Sequence, residues 1–291
     1  MDALVALWEG AFGSPYAFLS ATLVRATPLL FVGLAVSVAF RAGVLNIGAE
    51  GQLLAGATAG ALWAAIAALL RRRFGVLEVI STIMLNFVAL HFVSWLIRGP
   101  LQEPTLSYPQ SETIVAAARW PLLIGGQRLH LGSLLAFVAA LLAWWVFQRT
   151  AAGFRARIVG AGPRAAASAE GVAVERTIAG AFLVSGALAG LAGASEVGGV
   201  TWALYEGISP GYGYTAIAVA LLARLDPKWV IASAIFFGAL DAGSAAMQRD
   251  AGVPAVVGQA IVAVVILGVL ATGRARDLLH ARRSAVRAEG L

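Results

Sequence analysis

The chain has 291 residues, of which 60% are hydrophobic and 12% charged, and its mean hydropathy is +0.84. A soluble domain carries about 25% charged and roughly 45–50% apolar residues, so this chain has too little polar surface to cover a globule in water. Cysteine is absent and the three histidines are scattered, which argues against disulfides and metal sites. We therefore expect an all-α, polytopic bundle of transmembrane helices with no metal and no other cofactor.

The formal charge of +6 comes largely from arginines that lie between apolar stretches. They cluster in 71–73, 149–176 and 274–287, which is typical of loops that remain in the cytoplasm. This distribution argues against a nucleic-acid partner. The same rule places 98–130 outside and makes 273–291 a cytoplasmic tail.

Apolar stretches near the length needed to span about 30 Å of hydrocarbon follow one another along the chain. They cover 17–40, 47–70, 76–97, 131–148, 178–198, 228–247 and 254–272, with a shorter piece from Tyr214 to Ala223 that suits a half-membrane helix. The sequence thus predicts about eight spans, within a range of six to ten, in one membrane domain over 1–291. If all of them cross, both termini lie in the cytoplasm.

Small residues recur at four-residue spacing inside one predicted span. One stripe contains Gly186, Gly190 and Ala194, and the neighbouring stripe contains Ser185, Ala189 and Gly193. Because lipid offers no hydrophobic drive between helices, close backbone approach through such residues supplies the packing. The stripes therefore predict a tightly packed bundle and carry no information about cargo.

Residues 41–52 depart from a plain membrane helix, since three glycines and several polar side chains interrupt apolar sequence there. Ionisable groups at membrane depth are costly and usually face a cavity or a partner. In one interpretation, Asn46, Glu50 and Gln52 line a substrate path in a broken helix. In the other, Asn46 caps a helix N-terminus and Glu50 complements the helix dipole. The two interpretations are compatible, and both stay open.

Residues 75–86 form a second unusual segment. We expect Glu78 to begin a helix near the cytoplasmic mouth rather than to bind a ligand. Asn86 lies deeper, where an interhelical hydrogen bond is the first expectation and contact with substrate is the alternative.

The long cytoplasmic stretch 150–177 is the third unusual segment. Gly162-Pro163 predicts a helix start and Gly171 a stop, which gives a surface helix of about two turns, roughly 12 Å long. The predicted alanine face consists of Ala165, Ala166 and Ala169, with Arg164 beside it. Such a face is suited to docking in a cleft of a partner protein.

The chain lacks the sequence signals of an enzyme. Its one lysine, Lys228, precedes Trp229, whereas a phosphate-binding loop needs Gly-Lys followed by Ser or Thr. Local signatures of Ser-His-Asp or Cys-His catalysis are also missing, so no catalytic residue is predicted. Any ATP hydrolysis is expected on a separate chain.

Several motifs, in order between Ala26 and Ala271, resemble the permease subunits of nucleoside-type ABC importers, within the broader group of sugar and branched-chain amino acid permeases. They read FRAGVLNIGAEGQLLAGA, EVISTIMLN, RTAAGFRARIVGAGPRAAASAEGV, SGALAGLAGASEVGG and TAIAVALLARLDP. The resemblance implies a multi-pass protein of the plasma (inner) membrane that moves nucleosides or a related small polar solute. Between Gln52 and Arg71 the chain is shorter than the family by roughly one helix.

The resemblance also implies partners and site residues. The expected partners are a cytoplasmic ABC ATPase subunit, a second permease subunit in a homo- or heterodimer, and an external substrate-binding lipoprotein. The residues expected to couple to the ATPase are Arg157, Pro163, Arg164, Ala165, Ala166, Glu170 and Gly171. The residues expected along the substrate path are Asn46, Glu50, Gln52 and Asn86.

Two alternatives remain open from the sequence. Within the resemblance, simple sugars and branched-chain amino acids are alternative cargoes. An ion-coupled secondary transporter belongs to a different class and would be expected to show internal repeats and acidic or histidine relays inside its spans. Besides Glu50, only Glu196 and Asp241 are candidates for such a relay, and the sequence does not pair them.

Overall fold

The computed structural model describes residues 2–56, 60–168, 172–254, 256–258, 260–268 and 271. Within these residues the protein is a helical bundle without a β-sheet, because its three β-bridges are isolated pairs in loops. The helices are α1 (Ala3–Phe12), α2 (Leu23–Arg41), α3 (Ala49–Gly56), α4 (Gly60–Phe74), α5 (Glu78–Ile97), α6 (Leu131–Arg149), α7 (Ala151–Ala161), α8 (Pro163–Ala167), α9 (Val174–Glu196), α10 (Tyr212–Leu222), α11 (Pro227–Ala251) and α12 (Val256–Gly268). A π-helical turn extends α2 backwards over Ala17–Thr22, and another extends α9 over Val197–Thr201.

Five helices in the described part of the chain are long and apolar enough to cross a membrane. They are α2 and α9 with their π-helical turns, α5, α6 and α11. The predicted all-α membrane bundle is therefore confirmed, and these five helices fall where five of the predicted spans lie. The predicted half-membrane helix is α10, and α1 and α12 are also short apolar helices. The remaining predicted span, 47–70, is divided into α3 and α4.

Contacts of α2 define two opposite ends of the bundle. At the loop end, which carries the long segment between α5 and α6, Ser20 Oγ donates to Gln127 Oε1 at 2.7 Å. At the basic end, which carries α7, an Arg41 nitrogen lies 3.7 Å from a carboxylate oxygen of Asp226. The Arg41 guanidinium also lies over the ring of Phe147, 5.1 Å from its centroid. Helix α2 therefore runs from the loop end to the basic end.

At the loop end, the segment between α5 and α6 is joined to the segment between α9 and α10. Ser111 N donates to Leu204 O at 2.7 Å. The Arg98 guanidinium donates to both carboxylate oxygens of Glu206, at 3.0 and 2.8 Å, and Ser94 Oγ donates to one of them at 2.6 Å. These hydrogen bonds, first from Arg98 and then from Ser94, lower the pKa of Glu206 to about 2. The two loops thus form one surface.

Helices α3 and α4 form a re-entrant hairpin that starts and finishes at the basic end. The turn before α3 packs against α7 through Gly43. At the end of α3, Gly56 packs deep in the bundle against Gly190 of α9. Helix α4 then returns, and Arg71 in its last turn pairs with Glu78, the first residue of α5, at 2.9 Å. The prediction that residues 47–70 cross the membrane once is therefore wrong. A single crossing that finishes at the basic end would have to start at the loop end, whereas α2 brings the chain to the basic end.

Glycines set the distance between the hairpin and α9. A Cβ atom at Gly190 would lie 3.1 Å from the Cα of Gly60, and one at Gly186 would lie 2.7 Å from the carbonyl oxygen of Gly60. Close backbone contact of this kind is how helices associate where the solvent is as apolar as the side chains. The packing role predicted for this stripe of small residues is confirmed at both glycines.

Single cysteines test this topology, because the chain has none of its own. Leu45→Cys and Leu77→Cys replace exposed residues on either side of the hairpin. Both should react with an impermeant thiol reagent from the same side, and the positive-inside rule makes that side the cytoplasm. Tyr16→Cys and Ser107→Cys, also at exposed positions, should react from the opposite side. Labelling of Leu45→Cys and Leu77→Cys from opposite sides would show that the hairpin crosses.

Candidate functional site

The structure brings together the four polar side chains that were expected along a substrate path. Asn46, Glu50, Gln52 and Asn86 lie around α3, inside the bundle, with exposed fractions of 0%, 7%, 2% and 3%. Polar groups buried this deeply need hydrogen-bond partners, because an unpaired one costs about 1–3 kcal/mol. Their partners therefore show what each side chain does.

Asn46 closes the turn between α2 and α3 and ties it to α9. Its Oδ1 accepts from the backbone N–H of Gly48 at 3.0 Å and from Nε2 of Gln52 at 3.1 Å. Its Nδ2 donates to Gln52 Oε1 and to Ser185 Oγ, both at 2.9 Å. Both ends of the Asn46 amide are thus used within the chain. This pattern supports the helix-start interpretation of Asn46 and gives Gln52 the same supporting role.

Asn86 connects α5 to the turn before α3 and to α3 itself. Its Oδ1 accepts from the backbone N–H of Gly51 at 2.8 Å. Its Nδ2 donates to the carbonyl of Ile47 at 3.1 Å and lies 3.4 Å from the hydroxyl of Tyr214 on α10. The interhelical hydrogen bond expected for Asn86 is therefore confirmed.

Glu50 joins α3 to the start of α10. It lies in the first turn of α3, as expected, and its Oε2 accepts from the backbone N–H of Gly213 at 2.5 Å. The Ser209 side chain hydrogen-bonds to the same carboxyl group. A Cβ atom at Gly213 would lie 2.5 Å from the Cα of Glu50, so this approach requires glycine. A carboxylate beside the first N–H groups of α10 also complements the dipole of that helix.

The predicted coupling stretch holds two helices at the basic end. Thr150 caps the N-terminus of α7, because its Oγ1 accepts from the backbone N–H of Gly153 at 3.2 Å. Helix α7 was not predicted from the sequence, although a threonine before Ala-Ala-Gly is an N-cap signal. Arg157 of α7 donates a hydrogen bond to the carbonyl of Phe147 in α6. This contact holds α7 against the bundle, with the Arg157 side chain partly buried.

The helix start predicted at Gly162-Pro163 is confirmed, because α8 begins with Pro163 in its first turn. Helix α8 is shorter than predicted and ends at Ala167, while the predicted residues Ala169, Glu170 and Gly171 lie outside the described part of the chain. Pro163, Arg164 and Ala165 are exposed.

Ala166 differs from its neighbours in α8, because it is fully buried. It packs in a cluster with Val44, Val159 and Ile178, which belong to the bundle of this chain. The expectation that Ala166 belongs to a free docking face is therefore wrong. The side of α8 that faces solvent carries Arg164 and Ala165 instead.

The structure also pairs ionisable residues that the sequence left unpaired. Asp241 Oδ2 in α11 lies 2.8 Å from Arg25 Nε in α2. Glu196 in α9 is within electrostatic range of both. These residues lie on three helices that are far apart along the chain, so no local pattern could have revealed the group.

The hydrogen bonds between Asn46 and Gln52 predict an energetic coupling. Asn46→Ala leaves the buried amide of Gln52 without its partner and should lower the free energy of unfolding by about 1–3 kcal/mol. Gln52→Ala should cost less in the Asn46→Ala background than alone, because the pair is already broken. Thermal unfolding in detergent of the unmodified protein, the two single variants and the double variant measures this coupling. The control is Ser37→Ala, because it removes a buried hydroxyl that has no partner among the described residues. Additive effects would contradict the pairing.

Comparison with known proteins places these features in a family. Residues 53–270 match the family model described as branched-chain amino acid transport system / permease component. The guanosine ABC transporter permease protein NupP of Bacillus subtilis is 37% identical in a match that covers 90% of this chain and 83% of NupP. The glucose ABC transporter permease protein TsgB13 of Haloferax volcanii is 37% identical in a match that covers 86% of this chain and 75% of TsgB13.

A third relative is the nucleoside ABC transporter permease protein NupB of Lactococcus lactis subsp. cremoris. It is 29% identical in a match that covers 89% of this chain and 80% of NupB. No solved structure matches the chain at a significant level.

The family model covers most of the chain, including the second half of α3, all of α4, the predicted coupling stretch and α10. These matches favour an ABC permease over an ion-coupled secondary transporter, and the family in general works with an ATPase and a substrate-binding protein. The chain is an integral membrane protein that belongs to the family of permease components of ABC importers described as the branched-chain amino acid transport system / permease component.

Proposed function

We propose that this permease imports nucleosides. The observation that carries the proposal is the 37% identity to NupP, a permease named for guanosine, over 90% of this chain. NupB, which is named for nucleosides, matches a similar share of the chain. Nucleosides are uncharged at neutral pH and carry many hydrogen-bond donors and acceptors, so they suit a path bordered by amides, hydroxyls and a carboxylate.

Glucose is the second candidate, because TsgB13 shows the same 37% identity over 86% of this chain and is named for glucose. Hexoses are likewise uncharged and rich in hydroxyl groups. They differ from nucleosides in lacking a flat aromatic base. The two candidates can therefore be separated by the solute that competes for uptake.

Along the proposed path, Asn46, Glu50, Gln52 and Asn86 have unequal roles. Hydrogen bonds inside the chain occupy the amides of Asn46 and Gln52, and Asn86 binds the backbone of both neighbouring segments. These three side chains support the broken backbone that borders the path. Glu50 has the largest exposed fraction of the four, 7%, and is the one proposed to approach solute.

The finer assembly is also part of this proposal. Two permease subunits pair in the plasma (inner) membrane, a lipoprotein delivers solute at the loop end, and the ATPase docks at the basic end. The basic end carries Arg71, Arg72, Arg73 and Arg155, which supports its cytoplasmic location. The exposed side of α8, with Pro163, Arg164 and Ala165, is the proposed contact with the ATPase. Arg157 and Ala166 hold α7 and α8 to the bundle beneath it.

Competition for uptake tests the substrate. Cells that express the full chain with its ATPase and binding-protein partners should accumulate radiolabelled guanosine, and cells without the chain should not. A competing nucleoside at about ten times its dissociation constant should lower uptake of the label about tenfold, while the same concentration of glucose should not. Strong competition by glucose and none by adenosine would replace the nucleoside proposal with a sugar permease.

A charge on the exposed side of α8 tests the docking contact. Ala165→Arg would place an unpaired guanidinium in the interface, which costs several kcal/mol, and about 1.4 kcal/mol corresponds to a tenfold loss of affinity. Co-purification of the ATPase and solute-stimulated ATP hydrolysis should both fall more than about tenfold. The matched control is Ala151→Arg, at an exposed alanine at the opposite end of α7. Normal hydrolysis in Ala165→Arg would show that α8 is not the contact.

A further inference from the structure

A cavity of about 410 Å³ lies between α2, α10, α11 and α12, apart from the buried polar cluster around α3. Its polar wall consists of Tyr212, Thr215, Asp241, Ser244 and Gln248. Residues of α2 and α12, together with Phe237, supply the apolar wall. Pockets that bind small molecules combine an apolar lining with a few convergent polar groups in this way.

The polar wall presents one face of α11 to the cavity. Asp241, Ser244 and Gln248 are spaced by three and four residues, so they lie on the same side of the helix. The hydroxyl oxygen of Ser244 is buried, and no described residue hydrogen-bonds to it. Across from it, a Cβ atom at Gly258 of α12 would lie 2.5 Å from Ser244 Cβ, so glycine at this position lets α12 pack directly against Ser244. A buried hydroxyl that the fold leaves without a partner needs an explanation, and its position in the wall of this cavity points to a ligand.

The charges around the cavity favour an uncharged solute. Asp241 is held by Arg25 at 2.8 Å, and this pair is neutral overall. The cavity wall therefore carries no net charge that would select a charged solute. Solute hydroxyl groups can donate to the Asp241 carboxylate and bond with the Ser244 hydroxyl.

The cavity is within reach of the loop end. Gln248 is exposed and lies in the last turn of α11, which ends at Ala251. Pro210, in the segment that leads from the loop end to α10, also lines the cavity. A solute that arrives at the loop end therefore meets the polar wall of the cavity near its mouth.

We propose that this cavity binds the nucleoside during its passage through the subunit, an inference that rests on the proposed function. The sugar hydroxyl groups bond with Thr215, Asp241 and Ser244, and the flat base lies against the apolar wall formed by α2 and α12. Base and sugar thus meet the two kinds of wall that the cavity offers.

Protection of single cysteines tests the cavity in the full complex, since the chain has no other cysteine. Ser244→Cys is nearly isosteric, and Gln248→Cys provides a second variant at an exposed position. With adenosine at about ten times its dissociation constant, fewer than about one cavity in ten is empty, so modification by a small thiol reagent should slow about tenfold. The matched control is Ser37→Cys, whose hydroxyl oxygen is also buried without a described partner but lines no part of this cavity. The Ser37→Cys variant should stay unmodified.

The possible outcomes distinguish failure of the cavity proposal from failure of the proposed function. Slower modification of Ser244→Cys and Gln248→Cys with adenosine, and not with glucose, supports the nucleoside cavity. Unchanged rates in complexes that still import radiolabelled adenosine overturn the cavity and leave the proposed function intact. Absence of reaction at both positions also overturns it, because the cavity is then closed to water. Protection by glucose alone overturns the nucleoside class. Loss of adenosine uptake by the unmodified complex would count against the proposed function itself.

Discussion

The structure depends on one constraint, which is that backbone groups at membrane depth must find partners inside the protein. Two segments depart from regular helix where they pack into the bundle, the turn before α3 and the segment that leads into α10. Side chains supply the hydrogen bonds to these backbone groups that a regular helix would provide. Asn46 and Asn86 bond to the N–H and carbonyl groups of the first segment, and Glu50 bonds to an N–H group of the second. Without these three side chains the hairpin and the half-membrane helix would leave several polar groups unpaired in an apolar surrounding.

The same constraint explains why polar residues cluster without forming an open path. An amide whose two ends both bond to groups of the chain itself has little capacity left for a solute, and this applies to Asn46 and Asn86. A solute needs groups that the fold leaves unused. Ser244 offers such a group, because its hydroxyl is unpaired among the described residues and lines a cavity. Structural polarity thereby predominates around α3, where Glu50 alone is proposed to approach solute, while the cavity holds the other polar groups proposed to bind it.

The sequence predicts features that depend on composition and local signals. It does not predict the direction in which each segment runs through the bundle. Hydropathy found the five long spans, and local signals placed helix starts at Glu78 and Pro163. Hydropathy could not distinguish one crossing from a hairpin, because it reports how apolar a stretch is and not where the chain turns. The inward orientation of Ala166 also escaped prediction, since in a helix as short as α8 the buried side depends on its tertiary neighbours. The pairing of Arg25 with Asp241 has no sequence signal at all.

Helix α10 is the element that the two polar regions share. On one side its first turn contacts Glu50, and on the other Tyr212 and Thr215 line the cavity. Just beyond its C-terminal end, Asp226 pairs with Arg41, whose carbonyl packs against α7. Packed residues therefore run without interruption from α7 and α8, through the end of α2 and along α10, to the cavity wall. Because packed interiors transmit displacement rather than absorb it, a movement imposed on α7 at the basic end has a direct route to the residues that would hold the solute.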